Sequence, residues 1–289
     1  MRVTRPVQVT RPGQVTRPGQ ATRARVPVAG VELDPLTEDE VVTRVFEALR
    51  RGRGGHVLTP NVDICRLAVR DAELRALVRR ADVAVADGMP LVWAARMLGT
   101  PLPGRVTGAD LIWALSEAAA RHGVPVYLLG GPAGVADAAA VTLCARYPRL
   151  VVAGTHSPPY GFESSPDGVA AIRDALLAAM PGLVFVGLGF PKQDRLIEVL
   201  RADLPGTWFV GCGSAIAFAA GAVRRAPEWM RGVGLEWLFR LLSEPGRLGR
   251  RYLVDDLPFA LRLLAGGLFR RGVSAEPTSA RVSETPRQG

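Results

Sequence analysis

Short apolar runs alternate with segments of helical spacing along most of the chain. Each apolar run is bounded by glycine, proline or small polar residues, which is typical of buried strands. We predict strands at His56–Thr59, Val83–Ala86, Val126–Leu129, Leu150–Ala153, Leu183–Gly187 and Trp208–Gly211. We predict helices at Asp63–Arg79, Met89–Leu98, Asp110–His122, Ala133–Tyr147, Asp167–Ala179, Lys192–Arg201 and Ser214–Gly221. Continuous apolar strands joined by helices predict an α/β fold: a Rossmann-like parallel sheet with helices on both faces.

The two ends of the chain follow other patterns. Residues 1–25 repeat Val-Thr-Arg-Pro-x-Gln from Val3, and a proline at every sixth position forbids a helix, so we predict a disordered basic arm. A tether to membrane or nucleic acid is the alternative for this arm. After the α/β domain (26–234), residues 235–272 are again helical in pattern and rich in arginine, and predict a C-terminal basic helical appendage. Residues 273–289 predict a disordered tail.

Composition narrows the class of protein. The 289 residues are 48% hydrophobic and carry a net charge of +9, which lies in residues 1–25 and in 224–271 rather than in the predicted sheet. Such basic ends suit an anionic partner: phospholipid, pyrophosphate or nucleic acid. The three cysteines are far apart, as expected of reduced thiols in the cytoplasm. No signal peptide and no run of about 18 apolar residues is present, so we expect a cytoplasmic protein without a membrane span.

Candidate ligand-binding residues follow the predicted strands. In a parallel sheet these turns gather at one edge, where small residues let backbone N–H groups approach a ligand. The residues are Thr59, Asn61, Asp87, Gly130, Gly131, Gly189, Lys192, Gln193, Gly213 and Ser214. The glycine turns match neither the dinucleotide nor the P-loop motif, and tight turns need glycine even where no ligand binds. Ser214 lacks the surroundings of a hydrolase nucleophile, which leaves a helix N-cap or a phosphate contact.

Metal and cofactor chemistry is not indicated. The three histidines lack the spacing of metal ligands, and no Asp-x-Asp follows an apolar strand to hold a nucleotide-bound cation. We therefore predict no cofactor and no metal.

Several ordered motifs resemble one family of enzymes. They are Thr59-Pro60-Asn61, Asp87-Gly88, Arg105-Val106-Thr107-Gly108-Ala109-Asp110, Gly187-Leu188-Gly189-Phe190-Pro191-Lys192-Gln193, Arg225-Ala226-Pro227-Glu228-Trp229 and Leu235-Glu236-Trp237. From about Val31 to Tyr252 the chain resembles the WecG/TagA/CpsF glycosyltransferases of bacterial cell-surface polysaccharide synthesis. The resemblance implies an inverting, metal-independent transferase that moves a hexose or N-acetylhexosamine, such as N-acetylmannosamine, from a UDP-sugar to a polyprenyl-pyrophosphate-linked sugar.

The resemblance also implies roles for single residues. Asp87 would be the general base, and Thr59, Asn61, Arg105 and Gln193 would line the pocket; we add Thr107 and the glycine turns as donor contacts. The appendage would bring arginines to the acceptor pyrophosphate and to the inner leaflet of the cytoplasmic membrane, where the protein would be peripheral. These arginines are Arg240, Arg247, Arg250 and Arg251. The oligomeric state stays open, a homo-oligomer included, and no nucleic acid partner is expected.

Each candidate has a structural alternative. Asp87 could cap the helix near Met89, Arg105 could form a surface ion pair, Asn61 could close an Asx-turn, Gln193 could start a helix, and Asp110 is first a cap. The C-terminal helices could pack on the core or on a dimer partner.

Two positions depart from the family, which usually has Phe-Asp where this chain has Ile216-Ala217 and glutamate where it has Asp194. The missing carboxylate favours a rival hypothesis, a nucleotide-sugar-binding subunit without turnover. A nucleic-acid-binding protein is a third.

Overall fold

A six-stranded parallel sheet forms the centre of the molecule. The computed structural model describes residues 23–232 and 234–273, without the side chains of Arg247 and of 266–273, so the predicted arm and tail lie largely outside it. The strands are β3 (Gly55–Leu58), β4 (Val83–Ala84), β5 (Val126–Gly130), β6 (Val152–His156), β7 (Leu183–Gly187) and β8 (Trp208–Gly211). They are ordered β4-β3-β8-β7-β5-β6, all in parallel. The predicted fold class is confirmed.

Helices cover both faces of this sheet. They are α1 (Glu38–Leu49), α2 (Val62–Arg70), α3 (Ala72–Arg80), α4 (Met89–Met97), α5 (Gly108–His122), α6 (Val135–Arg146), α7 (Pro166–Ala179), α8 (Lys192–Asp203) and α9 (Ala215–Ala219). One apolar core lies between the sheet and α1, α5, α6 and α9. A second lies beneath α7 and α8, and a third joins α2, α3 and α4 to the N-terminal segment.

Two predicted elements were wrong in detail. The single helix predicted at Asp63–Arg79 is two helices, because Asp71 adopts extended backbone and its carboxylate accepts hydrogen bonds from the N–H groups of Glu73 and Leu74. Asp71 therefore starts a new helix as an N-cap. The fourth predicted strand is displaced towards the C-terminus: Leu150 and Val151 precede β6, which continues to His156.

The N-terminal segment holds three elements that the sequence analysis missed. Strands β1 (Val26–Val28) and β2 (Val31–Leu33) form an antiparallel hairpin around Ala29 and Gly30, both with positive φ. Helix α1 begins with a capping box in which Thr37 and Glu40 each accept from the other's backbone N–H. The pattern Thr-x-x-Glu was legible in the sequence.

Asp34 holds the short edge strand β4 in place. Its backbone N–H donates to the Ala84 carbonyl at 2.6 Å, and its carboxylate accepts from the Ala84 N–H at 2.8 Å. Arg25 and Arg44 pair with the same buried carboxylate. Asp34 thus bonds both backbone groups of Ala84 and holds the chain three residues before Asp87.

The C-terminal region is helical and packs back onto the α/β body. It comprises α10 (Glu228–Gly232), α11 (Glu236–Ser243), α12 (Pro245–Gly249), a π-helical turn (Arg250–Asp256) and α13 (Leu257–Val273). Phe259, Leu263 and Leu264 of α13 pack against the third core. The alternative in which the C-terminal helices pack on the core is therefore present in the structure. Over the described part of the chain, no helix is both long and apolar enough to cross a bilayer.

Candidate active site

Asp87 lies at the carboxyl edge of the sheet, directly after β4. Its backbone N–H donates to the Pro60 carbonyl at 2.8 Å, which joins the turn after β4 to the turn after β3. Gly88, with φ of 124°, occupies the N-cap position of α4, and no side chain caps that helix. The capping alternative for Asp87 is therefore absent, and its carboxyl group is directed to other neighbours.

Burial and nearby charges together raise the pKa of Asp87. The side chain keeps some solvent exposure, yet enough protein surrounds it that lost solvation is the largest effect on its pKa. This desolvation and the nearby Glu236 raise the pKa of Asp87 to about 7, while Arg105 and Arg240 act in the opposite direction. Asp87 and Arg105 thus lie in one place, as the sequence predicted, and the carboxyl group is poised to exchange a proton near neutral pH.

A network of arginines and carboxylates surrounds this carboxyl group. Arg105 pairs with Glu236 at 3.1 Å and lies 4.0 Å from Asp110. Arg225 bonds both acids, at 2.7 Å from Asp110 and 3.2 Å from Glu236. The ion-pair alternative for Arg105 is therefore present, but its partner is a half-buried carboxylate of α11 rather than a surface group. Glu236 connects the C-terminal helices to the loop that carries Arg105.

Thr107 is the N-cap of α5 in this network, whereas Asp110, first expected to be a cap, lies in the first turn and makes no capping bond to the backbone of the described residues. The Thr107 hydroxyl accepts from the Asp110 N–H at 3.1 Å and donates to the Asp110 carboxylate at 2.7 Å. Arg225 donates to the same hydroxyl at 3.5 Å. Although burial pushes the pKa of Asp110 upwards, hydrogen bonds from Arg225 and Thr107 bring it below the usual value. Asp110 is therefore held as a carboxylate, with Arg225 as its partner.

Arg240 is the predicted acceptor arginine that reaches the sheet edge. It donates to the Ser214 hydroxyl at 3.2 Å and stacks over the Phe218 ring at 5.5 Å. Ser214 makes no capping bond to α9, so its hydroxyl is available to this arginine. Ala217, the position where the family usually has aspartate, is half-buried in the same short helix. A cation thus faces the turn after β8, where no aspartate is present at position 217 to neutralise it.

Gln193 joins two of the glycine turns. Its Oε1 atom accepts hydrogen bonds from the Gly189 N–H at 3.1 Å and the Gly213 N–H at 3.2 Å. We call this arrangement the Gln193 clamp. These two N–H groups were candidate ligand contacts, and in the structure the clamp occupies them. Gln193 is buried in the first turn of α8, so the helix-start alternative also holds.

The remaining glycines have packing reasons. A Cβ atom on Gly130 would lie 2.6 Å from the Gly187 carbonyl oxygen, and one on Gly131 would lie 3.2 Å from Val135. Both glycines have positive φ. Close approach of β5 to β7 therefore requires glycine at position 130 whether or not a ligand binds.

Asn61 and Thr59 lie after β3. The Asn61 Oδ1 atom accepts from the Ile64 N–H at 3.0 Å and caps α2, which leaves the amide nitrogen outside the cap. Thr59 is buried at the same edge. Both residues are next to the turn that carries Asp87, since Pro60 lies between them and accepts its hydrogen bond.

Lys192, the only lysine of the chain, points away from the residues around Asp87. It pairs with Glu163 and lies over the rings of Tyr160 and Phe162 in the loop after β6. The structure thus separates Lys192 from the Asp87 cluster.

The other C-terminal arginines lie further from Asp87. Arg251 pairs with Asp63 at 2.7 Å, and Arg250 is exposed. Arg66 of α2 bonds Asp63 and Asp256, so that two arginines and two aspartates alternate in a ring between α2 and the π-helical turn. We call it the α2 ring. The side chain of Arg247 lies outside the described residues.

Several residues near Asp87 carry roles that the sequence analysis did not assign. The sequence analysis named Glu236 and Arg225 only as parts of motifs. Burial raises the pKa of Tyr252, and the charge of Asp87 acts in the same direction. Gly234 passes so close to α4 that a Cβ atom there would lie 2.6 Å from the Met89 side chain. For Glu236 and Arg225, presence in the family motifs was the available signal, whereas Tyr252 and Gly234 lie outside those motifs. No group of three metal-ligating side chains occurs in the residues that the structure describes.

Replacing Asp87 by asparagine should stabilise the fold, and more so at alkaline pH. A folded pKa of about 7 lies above the ordinary value of about 3.9, so ionisation opposes folding above the lower value and does so fully above the higher one. We expect Asp87→Asn to add up to about 4 kcal/mol at pH 8 and less at pH 5. Thermal melting at both pH values measures this, with exposed Asp203→Asn as the control. An equal or lower melting temperature at pH 8 would contradict the buried-carboxyl account.

Comparison with known proteins identifies the family of the chain. The sequence model described as "Glycosyl transferase WecG/TagA/CpsF family" matches residues 26–272. Among similar proteins are those of Staphylococcus aureus strains MW2 and NCTC 8325, each named N-acetylglucosaminyldiphosphoundecaprenol N-acetyl-beta-D-mannosaminyltransferase. Both are 31% identical over 229 residues, which covers 78% of this chain and 88% of the relative. The chain belongs to the WecG/TagA/CpsF family of glycosyltransferases.

Proposed function

We propose that this protein is an inverting glycosyltransferase that needs no metal ion. It moves a hexose or N-acetylhexosamine, such as N-acetylmannosamine, from a UDP-sugar to a polyprenyl-pyrophosphate-linked sugar in cell-surface polysaccharide synthesis. The names of the relatives in Staphylococcus aureus support the acceptor and the sugar. The observation that carries the proposal is the carboxyl group of Asp87 at the carboxyl edge of the sheet, with a pKa of about 7 and within the electrostatic influence of Arg105 and Arg240.

Asp87 is the general base of the proposed reaction. Inversion needs the acceptor hydroxyl to attack the anomeric carbon from the side opposite the leaving diphosphate, so one base beside that hydroxyl suffices. As the oxygen–carbon bond forms, the proton passes from the hydroxyl to the carboxylate of Asp87, and the bond to the nucleotide diphosphate breaks. A pKa near the working pH favours both the ionised form before transfer and its basicity during transfer.

Arginines take the charge of the leaving diphosphate. Guanidinium groups pair with phosphate oxygens through two donors, and such fixed charges stabilise the departing anion without a divalent ion. We assign Arg240, predicted from the sequence to meet the acceptor pyrophosphate, to the leaving diphosphate instead, because its partner Ser214 is a neutral hydroxyl that a phosphate oxygen can replace. Arg105 is paired with Glu236, so an incoming diphosphate must compete with that carboxylate.

Loss of Asp87 as a base should slow transfer strongly but leave donor binding intact. We expect Asp87→Asn to lower kcat by about 10²–10⁴-fold, the usual contribution of a general base. The assay uses UDP-N-acetylmannosamine, other UDP-sugars and a short-chain pyrophosphate-linked N-acetylglucosamine acceptor, with and without EDTA, followed by mass spectrometry. UDP binding, measured by calorimetry, should persist.

Near-normal turnover of Asp87→Asn would remove Asp87 as the base, and loss of activity in EDTA would contradict metal independence. Wild-type protein that binds UDP but forms no product with any donor would support the rival hypothesis of a binding subunit. Ala217 is the residue that favours this rival, because a carboxylate usual in the family is absent there.

Neutralising Glu236 should shift the pH dependence of transfer. Glu236 raises the pKa of Asp87 and also engages Arg105. In Glu236→Gln both effects weaken, the pKa of Asp87 falls, and more of it is ionised below neutral pH. The acid limb of kcat/KM should therefore move from about 7 to lower pH. Exposed Glu228→Gln, in the neighbouring helix α10, is the control, and an unmoved or raised limb in Glu236→Gln would contradict the assignment.

The C-terminal helices form the proposed membrane contact. Leu253, Val254, Leu257 and Leu261 form an exposed apolar stripe with helical spacing, and Val254 is 64% exposed. Phe259 and Leu263, on the opposite face of α13, pack against the protein core, so the exposed stripe is not the face that fills this core. Exposed Arg250 and Arg262 flank it and suit anionic lipid headgroups. The protein would bind the inner leaflet peripherally, next to its lipid-linked acceptor.

Charge on this stripe should detach the protein from lipid. We expect Val254→Asp and Leu261→Asp each to weaken binding to phosphatidylglycerol-containing vesicles by about tenfold or more, since each loses the burial of an aliphatic side chain. Vesicle co-sedimentation measures this. Val141→Asp on α6, where Val141 is 71% exposed, is the matched control. Equal losses in the control and the stripe variants, or no loss in either, would refute a contact at this stripe.

A further inference from the structure

We propose that His56 and Asp194 are positioning residues that hold the Gln193 clamp for binding of the nucleotide donor. The mechanism above uses neither residue, and both are almost completely buried, at 1% and 0% exposure of their side chains. The inference rests on the proposed function, because it assigns the clamp to the site where the donor nucleotide binds.

The two side chains form a closed pair beneath the carboxyl edge of the sheet. His56 Nε2 and Asp194 Oδ1 are 3.0 Å apart, and they join β3 to the first turn of α8. Within the described part of the chain, neither that nitrogen nor either oxygen of Asp194 makes a hydrogen bond of normal geometry. Each group therefore depends on the other for compensation of its burial.

The pair connects to the clamp through adjacent residues. Asp194 follows Gln193, whose Oε1 atom holds the N–H groups of Gly189 and Gly213. Gly211 leaves the room for both side chains: a Cβ atom there would lie 2.7 Å from Gln193 Nε2 and 3.1 Å from Asp194 Oδ1. Because β3 and β8 are neighbours and Leu58 lies opposite Gly211, the pair fixes α8 against the two strands whose turns carry Asn61 and Ser214.

A buried pair of this kind contributes little net stability to the fold. Desolvation of charged or polar groups offsets much of their mutual attraction, and apolar residues of similar size often stabilise a core more. The pair does restrict geometry, because the 3.0 Å distance between the two atoms requires the first turn of α8 to lie close to β3. We assign the pair to that restriction. By fixing α8, the pair sets the position of Gln193, and Gln193 in turn sets the shape of the two glycine turns around the donor diphosphate.

The test separates this role from a general effect on the fold. UDP binding by calorimetry and steady-state kinetics are compared for the wild-type protein, Asp194→Asn, Gln193→Ala and the double variant. We expect Asp194→Asn to raise the Kd for UDP and the KM for the donor by about tenfold, with kcat within about twofold. In the Gln193→Ala background the same change should have little further effect, because the clamp is already lost.

Two further variants complete the design. Asp194→Glu keeps the carboxylate and is the residue usual in the family, so it should bind UDP to within about threefold of the wild-type protein. Thr207→Val removes a buried hydrogen bond to the Pro181 carbonyl at the opposite edge of the sheet, 2.7 Å in length. It should lower the melting temperature but leave the Kd for UDP unchanged.

Each possible outcome supports or rejects the positioning role of His56 and Asp194. Unchanged UDP binding in Asp194→Asn, or additive effects of Asp194→Asn and Gln193→Ala on the Kd, would reject the positioning role while leaving the proposed donor intact. If neither Asp194→Asn nor His56→Gln folds, the pair is a determinant of the fold and the role is likewise rejected. If the wild-type protein does not bind UDP, the proposed donor is wrong and this inference fails with it.

Discussion

The desolvated carboxyl group of Asp87, set among two arginines and a glutamate, is the constraint on which the rest of the structure depends. An aspartate in this position opposes folding when it ionises, because water is replaced by protein and Glu236 repels it. The fold holds it there through backbone contacts on both sides. Asp34 fixes β4 before it, and the Pro60 carbonyl accepts the hydrogen bond of its own N–H. Stability given up at such a site is typical of catalytic groups, whose pKa must match their task.

The charges around Asp87 come from distant parts of the chain and nearly compensate one another. Arg105 and Asp110 belong to the loop and helix after α4, whereas Glu236 and Arg240 belong to α11. Most of these arginines already face a carboxylate. The net binding free energy of the proposed diphosphate would therefore be the difference between its own interaction with an arginine and that of the carboxylate it displaces. Arg240 differs, because it bonds a hydroxyl. The C-terminal helices therefore contribute charged groups of both signs to the surroundings of Asp87.

Much of the fold could be predicted because parallel strands that are buried on both faces leave a continuous apolar signal. Val126–Gly130 and Leu183–Gly187 lie within a residue of their predicted bounds. The break at Asp71 was missed because the apolar spacing continues through it, and only its capping bonds to Glu73 and Leu74 end one helix and begin the next. The hairpin around Ala29 escaped notice because its strands are three residues long.

The site was predictable to a smaller degree. Turns after parallel strands meet at one edge, so Asn61, Asp87 and Gln193 could be grouped from the sequence. Lys192 is adjacent to Gln193 in that motif but turns towards Glu163, because successive residues of a helix face different directions. The partners of Asp87 could not be predicted: Glu236 is 149 residues further along the chain, and no periodicity reports such a contact. The occupation of the Gly189 and Gly213 N–H groups by Gln193 was equally invisible.

The α2 ring holds the C-terminal region to the body of the protein through charged side chains, beside the apolar packing of α13 against the third core. In an α-helix, residues five apart point about 140° away from each other, so Arg251 and Asp256 could not both face α2. The π-helical turn of residues 250–256 has more residues per turn and brings them to one side, with Arg251 Nε 3.8 Å from Asp256 Oδ2. Asp63 and Arg66 then close the ring from the first turns of α2, the helix that Asn61 caps. The same helix thus carries Asn61, a proposed pocket residue, as its cap and the anchor of the C-terminal region in its first turns, so the position of one affects the position of the other.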